Sequence, residues 1–280
     1  MKVTLWGTRG SLPSAGPETV RYGGNSSCVE VRPQDGGLVV LDAGSGLRRL
    51  GDHVGPVERI DVLLTHLHLD HILGLGFFAP LYQPDVEVHL WGPATAMFDL
   101  RARLSRYLNP PLFPVRLPDL PSQLVLHGVA PSTFELPGME VTADLICHPG
   151  LAVGYRLTDG EGTLAYLPDH EPALGCQAFP TSREWTSGAD LSLDADLLIH
   201  DAQYTQEEYA AKVGWGHSAV THAVAFAQLV VARHLVAFHH DPWRTDDELD
   251  RLWNVSRWPS RPQLEITPAR EGDTFTVAGT

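Results

Sequence analysis

Residues 65–71 read T-H-L-H-L-D-H, and they follow a short, mostly apolar run that starts at Ile60, I-D-V-L-L. A strand of that kind suits the interior of a sheet with both faces covered, and such sheets hold their ligands at the C-terminal ends of the strands. The chain must therefore build layered α and β structure in which His66, His68, Asp70 and His71 gather at one sheet edge. Extended backbone turns His66 and His68 to the same face. A turn into a helix at Leu69 aims Asp70 and His71 at a neighbouring point. Imidazole nitrogen and carboxylate oxygen are ligands for divalent ions such as zinc, and two ions about 3.5–4 Å apart form a clamp used in hydrolysis. A chance cluster of such side chains at the end of an apolar strand is the weaker explanation.

Thiolate donors are scarce. Cys28, Cys147 and Cys176 are far apart with no CxxC pair, so neither a disulfide framework nor a thiolate zinc site is indicated. Any metal must be held by His and Asp. The 280 residues can bury a sizeable core, and the expectation is a single domain spanning 1–280. The start, MKVTLWGTRGS, lacks the apolar segment of a secretory signal. The run Ala223–Phe238 is interrupted by Gln228, Arg233 and His234, so it cannot span a bilayer without burying charge. A cytoplasmic protein without membrane contact is expected. A formal charge of -14 opposes long-range attraction to nucleic acid, which argues against a nucleic-acid partner.

Along the chain, Lys2–Trp6, Cys28–Arg32, Leu38–Asp42, Ile60–Thr65 and Val86–Trp91 have strand patterns, with a short helix at Leu47–Leu50. Ala94–Tyr107 has the pattern of a helix. The stretch N-P-P-L-F-P-V-R-L-P that follows cannot be regular and is expected as a loop over the site. Short strands return between Gln123 and Leu167. The last third predicts strands at Leu197–His200 and Leu235–His239 and helices at Gln206–Val213 and Ala219–Ala232. Two rounds of strands followed by helices fit an α/β (α+β) class, a four-layer αββα sandwich.

The motif T-H-L-H-L-D-H, with V-L-D-A-G-S-G around Asp42 ahead of it, resembles the HxHxDH signature of the metallo-β-lactamase superfamily. The resemblance covers nearly the whole chain. It implies a third histidine for the first ion at His148 in C-H-P-G, a bridging aspartate at Asp169 in A-Y-L-P-D, and a last histidine after the final strand in V-A-F-H-H-D-P. His239 is preferred there because it matches the family pattern of an apolar strand leading directly into the ligand; His240 is the fallback, since adjacent side chains on a strand face opposite ways and only one can reach the ion. The implied cofactors are two divalent ions, with Zn²⁺ expected and Mn²⁺ or Fe²⁺ compatible. His170 has no assigned role.

Within the superfamily, L-L-I-H-D-A-Q-Y and V-G-W-G-H-S resemble the branch of ribonuclease Z and small cyclic phosphodiesterases. There an acidic residue orients a histidine, and Asp201 and His217 match those positions. An imidazole held by a carboxylate can protonate a leaving oxygen near neutral pH, with Asp70 binding and orienting the attacking water. Helix capping by Asp201 and His217 is the bland alternative. G-T-R-G-S-L-P and Y-G-G-N-S-S-C also look like this branch, which makes Arg9, Ser26 and Ser27 candidate substrate contacts, although turn-only roles fit them equally. Ribonuclease Z itself fits less well, because His148 and Asp169 are too close in sequence to enclose its tRNA-gripping arm. The resemblance implies a dinuclear metal-dependent hydrolase that cleaves a small or cyclic phosphodiester, a small anionic molecule, through a metal-bridged hydroxide. The alternatives are a ribonuclease Z-like RNA endonuclease, a thioester, ester or lactone hydrolase, and a non-catalytic metal-binding protein. Relatives commonly form homodimers.

Overall fold

The computed structural model describes residues 1–34, 36–95, 97, 99–176, 178–254 and 264–279. In chain order the strands are β1 (Lys2–Gly7), β2 (Cys28–Arg32), β3 (Val39–Leu41), β4 (Arg59–Leu63), β5 (Glu87–Pro93), β6 (Gln123–Val129), β7 (Ser132–Leu136), β8 (Met139–Leu145), β9 (Val153–Thr158), β10 (Thr163–Leu167), β11 (Leu197–Asp201), β12 (His234–Phe238), β13 (Glu265–Pro268) and β14 (Thr274–Thr276). They form two seven-stranded sheets, one in the order β14-β1-β2-β3-β4-β5-β6 and the other β13-β12-β11-β10-β9-β8-β7. Each sheet is mixed. β3 to β6 run parallel, as do β10 to β13, while β1 to β3 and β7 to β10 are antiparallel.

The alternation of side chains explains the layers. On β11, Leu197 and Ile199 point into the core between the sheets, whereas Leu198 points outward. On β12, Val236 and Phe238 face inward and Leu235 and Ala237 face out. The outward residues are buried too, under α4 (Ala189–Ser192), α6 (Val220–Leu229) and α7 (Asp246–Leu252). The first sheet is covered in the same way: Val40, Val62 and Leu90 pack against residues of α1 (Gly46–Gly51) and α3 (Leu100–Leu104). This is the αββα sandwich expected from the sequence. Among the described residues no helix is long and apolar enough to cross a membrane.

Several elements differ from their predicted extents. Ala94–Tyr107 is not one helix, since α3 spans only Leu100–Leu104, capped by the Asp99 side chain on Ala102 N. Residues 96 and 98 lie outside the described residues. Ala94 N donates to Val129 O, so the strand pairing of β5 with β6 continues where the helix was expected to begin. The helix expected at Gln206–Val213 is α5 (Gln206–Ala210), and α6 ends at Leu229 rather than Ala232. The Pro-rich stretch is wedged into the outer core through Leu108, Phe113 and Leu117, with Phe113 edge-on to Phe77 at 5.6 Å. It packs over the turns that follow the histidine motif.

Candidate metal centre

β4 delivers the motif as the sequence anticipates. Beyond its end, Thr65 is tied to Asp42, the residue after β3: Thr65 N and Oγ1 both donate to the Asp42 carboxylate, at 2.8 and 3.0 Å. His68 remains extended as the N-cap of α2 (Leu69–Ile72), which carries Asp70 and His71 in one short turn. Gly44 lets this turn approach, because a Cβ there would lie 2.4 Å from Asp70 O. From the second sheet, His148 follows β8, Asp169 follows β10 and His239 follows β12. Asp42 and His239 hold left-handed backbone, with φ of 57° and 60°. For a residue with a Cβ such a conformation costs on the order of 1–3 kcal/mol and recurs at functional sites.

The side chains meet in two groups, His66, His68, His148 and Asp169 in one and Asp70, His71, Asp169 and His239 in the other. Asp169 belongs to both. Its Oδ2 lies 3.7 Å from His66 Nε2 and 3.9 Å from His148 Nε2. Its Oδ1 lies 3.0 Å from His71 Nε2 and 3.1 Å from His239 Nε2. Asp70 Oδ2 is 3.2 Å from His71 Nε2 and 3.3 Å from His239 Nε2, while its approach is steadied by a bond from Ser11 N at 2.8 Å.

Hydrogen bonds to the far ring nitrogens set which atoms face the centre. His71 Nδ1 donates to Asp42 Oδ2 at 2.8 Å, His148 Nδ1 to Gly216 O at 2.9 Å and His239 Nδ1 to Gln203 Oε1 at 3.0 Å. Each therefore presents an Nε2 lone pair inward, the usual orientation of a metal-binding histidine. His66 Nε2, His71 Nε2 and Asp169 Oδ1 are buried without a hydrogen-bond partner. Buried unpaired donors and acceptors are costly, and nitrogen and carboxylate atoms converging on shared points suit a divalent cation.

Charge balance points the same way. Burial opposes ionisation of Asp169, yet His239, His71 and His66 hold its carboxyl well below the ordinary range. Burial likewise opposes charge on His71, but Asp169, Asp70 and Asp42 push its pKa well above the usual value. The carboxylates thus demand positive charge at this point. Burial pushes His66, His68 and His148 down, favouring their neutral, ligating form.

His217 lies beside the groups, its ring stacked on His239 at 4.9 Å, and its Nδ1 donates to Asp201 Oδ2 at 2.7 Å. Burial would depress its pKa, but Asp201 raises it above the ordinary histidine value. Capping does not account for the pair. α5 is capped by Thr205 through its own capping box, and the N-cap of α6, Ala219, offers no side-chain cap. The second Asp201 oxygen accepts from Gln203 N and Ser218 N, which shapes the two loops around it.

The candidate substrate contacts need correction. Arg9 is fully buried; its Nε donates to Gly23 O at 2.8 Å and its Nη1 to Arg244 O at 2.6 Å. Ser26 donates to Asp70 O and accepts from Ser45 N, and Ser27 is buried as well. These side chains support the loop from within. His240, the fallback ligand, turns away to donate to Ala269 O, and burial drives its pKa down to about 3. His170 is also turned aside, with its Nδ1 2.9 Å from His200 Nε2. Sequence reasoning missed Gln203 and Glu171, which act by hydrogen bonds to a ring or a backbone and leave no spacing pattern.

Comparison with known proteins adds the family. A curated ribonuclease Z from Myxococcus xanthus is 25% identical over 282 residues, covering 86% of this chain and 88% of that protein. Among solved structures, a diphosphatase from the PhnP family matches with a TM-score of 0.67 and 21% identity over 99% of this chain and 98% of that one. The short form of human tRNase Z matches with a TM-score of 0.68 and 21% identity, covering 99% of each chain. These structural likenesses show the fold. The expectation against nucleic acid gains no support from relatives with such names. The model of the beta-lactamase superfamily domain matches residues 38–240, and the chain belongs to that superfamily as a metal-dependent hydrolase.

Proposed function

We propose that the chain is a phosphodiesterase acting on a small or cyclic phosphodiester, with His217 as the proton donor to the leaving oxygen. The observation that carries this reading is the 2.7 Å bond from His217 Nδ1 to Asp201 at the edge of the two groups. With Nδ1 committed to Asp201, Nε2 is the nitrogen left to hold the transferable proton, and the raised pKa favours its presence near neutral pH. A thioester, whose thiolate departs more readily than an alkoxide, has less need of such a donor.

His66, His68, His148 and Asp169 would hold one divalent ion, and Asp70, His71, Asp169 and His239 a second. Ions so held supply Lewis acidity toward phosphoryl oxygens and lower the pKa of water. Zn²⁺ suits this nitrogen-rich set. Asp70, fixed by Ser11 N, orients the attacking water, and Asp201 holds the His217 ring in place and stabilises its protonated form. The segment between His148 and Asp169 supports a small substrate, because it holds only β9, a tight turn and β10. The second reading, an RNA endonuclease, is favoured by the likeness to ribonuclease Z.

The test is turnover of a cyclic nucleotide monophosphate, a tRNA precursor, a p-nitrophenyl ester and a thioester by the metal-loaded protein and by His217→Ala. Cyclic phosphate turnover that falls roughly 10²–10⁴-fold in the variant, with metal content unchanged, is the expected result. Turnover of the ester or thioester alone, indifferent to His217, would overturn the proposal. Cleavage of the tRNA precursor alone would select the second reading.

A further inference from the structure

Glu171 is 1% exposed, and the reaction described above does not use it. Its carboxylate accepts three hydrogen bonds: Oε1 takes Tyr209 Oη at 3.0 Å and Gly214 N at 2.8 Å, and Oε2 takes Gly216 N at 2.7 Å. Its own N donates to Cys147 O at 2.9 Å, next to His148. All three donors to the carboxylate lie on the segment that leads into His217. Gly214 and Gly216 hold φ of 87° and 90°, which lets both N–H groups turn toward one acceptor. Gly216 must also lack a side chain, since a Cβ there would lie 2.3 Å from His148 Nδ1 and 2.2 Å from Pro149 Cδ.

The Gly216 residue works in two directions. Its N–H is held by Glu171, and its carbonyl accepts from His148 Nδ1 at 2.9 Å. The next residue is His217, bound to Asp201. We propose that Glu171 is a positioning residue that ties the orientation of His148 to that of the proton donor His217, through the backbone of Gly216. The inference rests on the reading of His217 as that donor. A carboxylate suits the place because every partner is a donor and it offers only acceptors. In a glutamine, one oxygen can still serve one side, but the amide NH₂ must face a backbone N–H on the other. Glu171→Gln therefore breaks one arm of the clamp while keeping the side-chain volume.

The experiment uses metal-loaded wild type, Glu171→Gln and His217→Ala, with three readouts: hydrogen exchange of residues 209–218, bound zinc, and turnover of aryl phosphodiesters whose leaving groups run from p-nitrophenol to phenol. A poor leaving group needs its proton donor, whereas p-nitrophenolate departs with little help. In Glu171→Gln, exchange in 209–218 should quicken and zinc should be lost more readily to a chelator. Its kcat should fall roughly 10²-fold on the phenyl ester, as a small misplacement of a catalytic group can cause, and much less on the p-nitrophenyl ester, with KM little changed. The leaving-group dependence should steepen in the same direction as in His217→Ala. An equal loss on both esters, or unaltered exchange in 209–218, overturns the inference. If Glu171→Gln does not fold, Glu171→Asp, which keeps both acceptors but withdraws them, is read in the same way. If wild type cleaves neither an aryl phosphodiester nor a cyclic nucleotide monophosphate, the phosphodiesterase reading fails. The link from Glu171 to His148 is then judged by exchange and zinc retention, and no change in either overturns it.

Discussion

Asp42 controls the ring of His71, because His71 can offer Nε2 to the centre only while Nδ1 donates to that carboxylate. Tyr166 Oη and Thr65 Oγ1 donate to the same group, so all its neighbours require an acceptor. Asp42→Asn puts an amide donor among them and should weaken metal binding about 10–100-fold, measured by competition with a chelating dye. Unchanged affinity would remove Asp42 from the support of the site. His240 makes a separate prediction. Its pKa is about 3 in the fold against an ordinary 6.5, so unfolding takes up a proton between those values. The stability it supports is complete above about pH 6.5 and is lost as pH falls toward 3. His240→Gln should therefore make stability fall less steeply from pH 6 to 4, by about 1.4 kcal/mol per pH unit, in urea unfolding at fixed pH. The sequence made His66, His68, Asp70, His71, His148, Asp169 and His239 visible because each closes a strand or opens the turn after one, and the structure brings them together. Arg9 misled for the opposite reason: an arginine among glycines reads as exposed, and nothing in the local pattern shows that backbone carbonyls use its guanidinium.

The elements that carry the site are held by packing on their outer faces. α6 lies on the outside of β11 and β12, and its Phe226 is fully buried, stacked on His200 at 4.7 Å and edge-on to His170 at 5.2 Å. Phe226→Ala leaves a cavity under the strands that present Asp201 and His239. It should cost about 3–5 kcal/mol, read as a lower denaturation midpoint with unchanged slope. A cost below 1 kcal/mol would mean that the helix is not anchored there. Strands were the more legible elements, since burial on both faces writes a continuous apolar run. Helices were overextended because composition favoured them beyond their real ends. Ala94–Tyr107 contains good helix formers, but pairing with β6 outweighed that preference at its start. In α5 and α6 the chain must turn early to deliver the loops that follow.

At the scale of the molecule, the layered architecture was legible from the order of strand and helix patterns together with the family resemblance. Net charge was a poor guide to partners, because a formal charge of -14 describes the whole surface and says little of one cleft. Each of the two ligand groups draws on both sheets: His66, His68, Asp70 and His71 follow β4, while His148, Asp169 and His239 follow strands of the other sheet. Chelation should therefore lower the melting temperature as well as abolish turnover. With free ion at a thousand times Kd the linkage contributes about 4 kcal/mol, or on the order of 10 °C, in a scan with and without chelator. An unchanged melting temperature would mean that the sheets do not need the ions.

Because the ligand groups draw on both sheets, metal held there would act as a staple across the seam of the sandwich. Scarcity of metal then does more than idle the enzyme. Copies without metal would part more readily along that seam, expose the apolar faces between the sheets and become targets for proteases. Metal supply would then set how many molecules persist as well as how many are active, and a starved cell would lose the protein itself along with its turnover.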